Sequence, residues 1–306
     1  MRRKLPSNQS LICFEAAARH ESFTKAAQEL ALTQGAISRQ VTALEGLLGV
    51  VLFKRGQHGM KLTPAGADYA RQVAQRLDAL ERDTLDLVGR QGQGESLTLA
   101  AVPTFATRWL IPRLPSFAEL SPQTQVHIET RTRPFLFSDT GVDAALFAGS
   151  PEQVRQWAGT RALQLFPEDV VPVCSARWLG GQTELSPEQL ADLPLLQQST
   201  RPDAWRQWFD AQGVYAPRAM AGPRYEQFSM QAAAASCGLG IALMPTLLIR
   251  HELASGTLVL ASPRALRGQR AYYLVQPDGV PARPALERFQ DWLLGQTRAE
   301  AANSPT

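Results

Sequence analysis

The chain has 306 residues, with 31 Lys+Arg against 28 Asp+Glu and a formal charge of +3. At 44% hydrophobic and 19% charged it is globular rather than disordered, and long enough for two or three domains. It holds no apolar run of about 18 residues, so no membrane contact is expected. Three cysteines (Cys13, Cys174, Cys237) and four histidines (His20, His58, His127, His251) stand too far apart for a disulfide framework or a metal site, so no cofactor is expected either.

The charge is unevenly spread. All four lysines (Lys4, Lys25, Lys54, Lys61) lie in the first 61 residues. Residues 1–63 carry nine basic and four acidic groups, net +5, whereas residues 64–306 are net −2. A basic head on a near-neutral body points to a polyanion for the head and another partner for the body. The apolar stretch 11–18 is interrupted by Glu15 and does not read as a signal peptide, so a reducing cytoplasm is expected.

Leu11, Phe14 and Ala18 share one face of a first helix that Ser7 or Asn8 can cap. Ser22 precedes a second helix with Phe23, Ala26, Ala27 and Leu30 facing inward. Thr33 can cap a third, running to about Leu47, with Ile37, Val41 and Leu44 at one apolar spacing. Two short helices joined by a tight turn make a helix-turn-helix. Val50, Val51, Leu52 and Phe53 then read as a strand, 54–59 as a turn, and Met60, Lys61, Leu62 and Thr63 as a returning strand: a wing.

Pro64 suits the first turn of a long helix reaching about Val88. Ala70, Val73, Leu77, Leu80, Thr84 and Leu87 alternate in spacings of three and four. Such a stripe packs on its own domain or pairs with a second helix. Its narrowness and the charged flanks (Arg71, Arg76, Asp78, Arg82, Asp83) favour a dimer seam. Residues 91–94 read as a linker. The divisions are therefore 1–63 (head), 64–94 (dimerisation helix and hinge) and 95–306 (body).

In the body, strands are expected at 96–102, 125–130, 143–147, 169–173, 240–244 and 272–275. Helices are expected at 103–120, 205–211, 229–237 and 284–294. This alternation indicates parallel α/β units, and about 210 residues is enough for two lobes.

The strings Ser22-Phe23-Thr24-Lys25-Ala26-Ala27, Leu32-Thr33-Gln34-Gly35-Ala36-Ile37-Ser38-Arg39-Gln40-Val41, Leu52-Phe53-Lys54-Arg55 and Leu62-Thr63-Pro64-Ala65-Gly66 resemble the head of a LysR-type transcriptional regulator. Gly141-Val142-Asp143-Ala144-Ala145-Leu146 and Gly238-Leu239-Gly240-Ile241-Ala242-Leu243-Met244-Pro245 agree with the same family. The segment from Thr104 to Leu114 resembles the branch holding the glycine-cleavage activator and the β-lactamase regulator. Gly35 stands where the family usually has proline. The resemblance implies a cytoplasmic bacterial homodimer or homotetramer on promoter DNA, with a winged helix-turn-helix, a linker helix and a two-lobed α/β domain like periplasmic binding proteins. It further implies a small-molecule effector between the lobes and contact with RNA polymerase.

Physical reasons place the DNA contacts. The start of a recognition helix meets base edges. Gln34, Ser38 and Thr42 share the face opposite the apolar one. Gln34 can read adenine, Arg39 can read guanine or clamp phosphate, and Thr33 and Ser38 suit phosphate or a thymine methyl. Lys25, Lys54, Arg55 and Lys61 would neutralise backbone phosphate. For the effector, Thr104, Phe105 and Thr107 open a helix after a strand, where amides and hydroxyls suit an anion. Ser199 follows a short strand near the lobe crossover, and Phe228 and Ser229 open another helix. The resemblance implies that Thr104, Ser229 and Tyr272 line the pocket. A small polar anion, such as an amino acid or a peptide-like metabolite, is the expected ligand. Asp143 and Arg108 could form a structural pair, and Cys237 reads as a small core residue. No GxSxG, phosphate-binding loop or histidine motif supports an enzyme.

Overall fold

The computed structural model describes residues 5–56, 59–89, 95–268, 270–281 and 283–302. The expected linker at 91–94 and the tip of the wing at 57–58 lie outside them, as do the side chains of Arg55 and Leu87. Two compact units divide the chain, Met1–Gln93 and Gly94–Thr306.

The first unit runs α1 (Asn8–His20), α2 (Phe23–Glu29), α3 (Gln34–Leu48), β1 (Phe53–Gly56), β2 (Gly59–Leu62) and α4 (Pro64–Gly89). Each short helix begins at a hydroxyl cap. Ser7 accepts from the Ser10 N–H, Ser22 from Lys25 and Thr33 from Ala36. Thr33 thus starts α3 at Gln34 without the family's proline. Cys13, Phe14, Ala17, Ala26, Ile37, Val41 and Leu44 form the shared core. The wing pairs Phe53 with Leu62 and Lys54 with Lys61.

The wing's first strand is displaced from its expected place at 50–53. Glu45 Oε1 accepts from the N–H of Leu52 (2.6 Å) and of Phe53 (3.1 Å), so these amides close the end of α3 instead. Val50 and Val51 are exposed. Lys54 and Arg55 consequently lie on a strand rather than in a turn. Behind the wing, a Cβ at Gly66 would stand 2.1 Å from the Leu52 carbonyl oxygen, so only glycine lets α4 approach this closely.

The stripe on α4 serves two purposes. Val73 is buried in the head's own core, and Ala70 and Leu77 pack at its edge. Those three positions are therefore occupied within the protomer, which corrects the expectation of one continuous seam. Leu80, Leu85 and Val88 are 51%, 62% and 68% exposed. Thr84 is exposed, with its hydroxyl returned to the Leu80 carbonyl at 2.7 Å.

The second unit has two five-stranded sheets. Its chain order is β3 (Glu95–Ala101), α5 (Pro103–Phe105), α6 (Leu114–Leu120), β4 (Thr124–Thr130), β5 (Ala144–Gly149), α7 (Pro151–Arg155), β6 (Thr160–Pro167), β7 (Val170–Cys174), α8 (Pro187–Ala191), β8 (Leu195–Gln198), α9 (Ala204–Ala211), β9 (Arg224–Tyr225), α10 (Phe228–Ser236), β10 (Ile241–Pro245), α11 (Arg250–Ala254), β11 (Val259–Leu260), β12 (Ala271–Pro277) and α12 (Pro284–Ala302). One lobe is the sheet β4-β3-β5-β12-β6, the other β11-β7-β10-β8-β9. The chain crosses between lobes after β6 and returns into β12. The crossings lie side by side, with Glu168 N–H donating to the Arg270 carbonyl at 2.9 Å.

Neither sheet is wholly parallel, as the α/β alternation had suggested. β12 runs antiparallel to β5 and β6, and β10 to β7. A strand that returns from the other lobe has no helical crossover to impose parallel direction. The expected helix 103–120 is also broken into α, π and 3-10 turns around Ile111–Arg113, because Pro112 and Pro115 lack the N–H that a continuous helix needs. Arg108 pairs with Glu252, and Asp143 with Arg283, so the expected Arg108–Asp143 pair does not form. Cys237 caps α10 and is exposed; the core cysteines are Cys13 and Cys174.

Candidate functional site

Two surfaces bring together the residues singled out by sequence. The first is on the head. Thr33, Gln34, Arg39 and Thr42 are exposed along α3 and Ser38 is half-buried, while Ile37, Val41 and Leu44 face the core. Lys25 is exposed at the start of α2, and Lys54 and Lys61 face each other across the wing. Arg19 is occupied differently, bonded to Glu15 and Glu29. Two buttresses were not evident from sequence. Glu45 holds the wing, as above. The Ser10 hydroxyl donates to Gln40 Oε1 at 2.7 Å and ties α1 to α3. These are single polar contacts between segments distant in sequence, without a motif to mark them.

The second surface is the cleft between the lobes. A cavity of about 390 Å³ is lined by Thr104, Phe105, Ser199, Phe228 and Tyr272, among others. Across it, Thr104 Oγ1 accepts from the Ser229 N–H at 3.1 Å, so the two lobes meet at this bond. Ser229 itself is not among the lining residues; its hydroxyl accepts from Thr104 Oγ1 at 3.5 Å and donates to Gln227 Oε1 at 3.3 Å. Thr107 is not among the lining residues. Its hydroxyl donates to the carbonyls of Pro103 and Thr104 one turn back, as a helical threonine commonly does. Phe105 is buried between the rings of Trp109 and Tyr272, with centroids at 4.9 and 4.8 Å.

Nothing in the sequence marks the cleft's charged centre. Glu168, on the outgoing crossing, accepts from Arg201 Nε at 2.8 Å and Nη2 at 2.7 Å. Arg270, on the returning crossing, lies 3.4 Å from the same carboxylate. Arg270 also donates to the Ala148 carbonyl at 2.6 Å and to Gln153 Oε1 at 3.2 Å. An ionic chain therefore links one lobe through both crossings to the other. Burial, and secondarily the Arg201 charge, lowers the Arg270 pKa. Burial, reinforced by the Glu168 charge, raises that of Tyr272 well above the usual phenol value. Three arginines (Arg133, Arg201, Arg270) and two carboxylates (Glu168, Glu226) line the cavity, an excess of one positive charge.

A winged helix-turn-helix with a basic face, followed in the chain by a two-lobed domain with a polar cleft, defines a DNA-binding regulator with a ligand-sensing domain. Residues 9–67 match the bacterial regulatory helix-turn-helix protein model of the lysR family, and residues 90–298 match the LysR substrate binding domain. The chain belongs to the LysR family of transcriptional regulators. It is 35% identical to the glycine cleavage system transcriptional activator of Escherichia coli K12, covering 98% of this chain and 97% of that one. It is 36% identical to the transcriptional activator AmpR of Citrobacter koseri, with coverages of 96% and 99%. The solved effector domain of AmpR from Pseudomonas aeruginosa is 28% identical, with a TM-score of 0.61, covering 68% of this chain and 98% of that one. Named relatives of this kind are regulators, and the chain is read as a regulator rather than an enzyme. Among the described residues no helix is long and apolar enough to cross a membrane.

Proposed function

We propose that the chain binds promoter DNA as a dimer, in divisions 1–63, 64–94 and 95–306, and assembles further into a tetramer. A small polar anion in the cleft then changes the angle between dimers, and with it DNA bending and contact with RNA polymerase. Gln34, Arg39 and Thr42 read base edges. Thr33, Ser38, Lys25, Lys54, Arg55 and Lys61 hold phosphate, and the two-fold symmetry of the dimer matches a roughly palindromic site. Arg39→Ala should weaken binding by about 1–3 kcal/mol if the residue reads a base. If it holds phosphate, the salt slope should fall by about 0.9. Unchanged affinity and slope would remove it from the interface.

The observation that carries the effector reading is the Thr104–Ser229 bond across the cleft. The Ser229 N–H, in the first turn of α10, has an accepting oxygen from the opposite lobe as its partner. An anion entering the positively biased cavity supplies a stronger acceptor for that N–H, and the Thr104 hydroxyl turns from Ser229 Oγ, 3.5 Å away, to donate to it. Thr104→Val should abolish the effector response while leaving promoter affinity unchanged. An unchanged response would place the site elsewhere.

A further inference from the structure

The cleft continues past Glu168, Arg201 and Arg270 into a second chamber of about 300 Å³. Leu196, Leu243 and Trp205 form part of its apolar wall, and Gln198, Gln231 and Asp203 stand among them. Gln198 is 5% and Gln231 1% exposed, and the Oε1 of each has no hydrogen-bond partner among the described residues. Gln231 is fixed in orientation, because its Nε2 donates to the Leu196 carbonyl at 2.7 Å and leaves the oxygen as the unused end. An unpaired buried acceptor is destabilising, and native proteins rarely keep two together without a use for them. The chamber differs from the first in charge. Glu168 and Asp203 balance Arg201 and Arg270 here, whereas the first chamber has a positive excess.

Taking the cleft as the effector site, we infer that the second chamber receives an N–H donor group of the same ligand. The anionic end lies in the first chamber, near Thr104 and the Ser229 N–H. The donor end, the ammonium, hydrogen-bonds to the free oxygens of Gln198 and Gln231. The effector is therefore a bifunctional molecule of the amino-acid class, and not a simple carboxylate.

The full-length chain can be titrated with the twenty common amino acids and with their des-amino carboxylic acids, followed by Trp fluorescence and thermal unfolding. At least one amino acid should bind about tenfold or more tightly than its des-amino counterpart, the factor expected of one hydrogen bond to a charged group. Gln198→Met and Gln231→Leu should each erase the preference, leave the des-amino acid bound within about twofold, and melt no lower than the parent without ligand, since each removes an orphaned acceptor. The Leu196 carbonyl keeps a partner in Gln231→Leu, because Trp205 Nε1 also donates to it at 3.0 Å. Equal affinity for both members of each pair, preference retained in both variants, or no response to any amino acid at roughly 10 mM would overturn the inference. The cleft reading survives such a result if des-amino acids bind and Thr104→Val abolishes that binding; it fails too if Thr104→Val changes nothing.

Discussion

Replacing Glu168 tests whether the ionic chain across the crossings holds the lobes together. Its side chain is 1% exposed, and both oxygens are engaged by Arg201. Glu168→Gln preserves shape but turns one acceptor into an NH₂ group facing a guanidinium. One charge-assisted bond is lost, worth about 1.5–3 kcal/mol, and the other is weakened. Arg270 also loses the charge that compensates its burial. Breaking a buried pair from one side costs about 3–5 kcal/mol, and because Arg201 retains some solvent contact the lower end, about 3 kcal/mol, is expected. All six tryptophans lie between Trp109 and Trp292, so intrinsic fluorescence in a urea titration reports on the second unit alone. Adding Arg201→Met should recover about 2 kcal/mol, since removing both charges leaves less to compensate. A loss below about 1 kcal/mol in the single variant, or an additive cycle, would show that the chain of charges is incidental to stability.

The other predictions concern the head. Glu45→Ala should destabilise it by about 2–3 kcal/mol, because two backbone N–H groups lose a carboxylate acceptor, and should lower the salt slope of DNA binding as the wing loosens. Circular dichroism and binding titrations measure both, and a stable variant with full affinity would refute the buttress. Ala31 adopts φ of 52° in the turn before α3, so Ala31→Gly should stabilise the head by about 1 kcal/mol; a lower melting temperature would contradict this. Hydrogen bonds from Arg19 and then His20 hold the Glu29 pKa at about 2, below its ordinary 4.5. The stabilisation is complete above pH 4.5 and is lost as pH falls towards 2, so Glu29→Gln should flatten the acid-unfolding curve in that window. An identical acid curve would remove the pair from the ledger of stability. Leu80→Glu should weaken dimers in sedimentation without unfolding the head, whereas Leu77→Glu should unfold it; the reverse pattern would return the seam to the first half of α4.

The head was legible because its signals are local. Ser7, Ser22 and Thr33 announce three helix starts, and the apolar spacing of Ile37, Val41 and Leu44 sets which side of α3 faces outward. The start of the wing is not legible, because Val50, Val51 and Leu52 look like a strand and nothing local shows that Glu45 claims the amides of Leu52 and Phe53. In the body, β6 leaves no clear sequence signal: it is an edge strand with mostly exposed residues and no clean alternation. The sense of β12 depends on the path back from the other lobe, which no short window contains. Thr104, Ser199 and Phe228, which line the cleft, are legible because they sit just after strands or at helix starts. Glu168, Arg201 and Arg270 are isolated charges in sequence, indistinguishable from solvated ones until the crossings bring them together.

The same distinction between local and assembled signals explains α4. Its spacings of three and four fit burial on the protomer's own core as well as they fit a partner helix, because both require one apolar face. What separates the two is where the core ends. Val73 is inside it and Leu77 borders it, but three residues further on Leu80 is half exposed, and Leu85 and Val88 more so. A monomer has no use for apolar side chains projecting from an otherwise charged helix, and a lone helical extension gains little stability from propensity alone. The exposed half therefore favours a second protomer, while the buried half fixes α4 against the winged head. One continuous helix would then transmit the geometry of the dimer to the placement of two recognition helices, and substitutions on either side of Leu77 should separate folding from assembly.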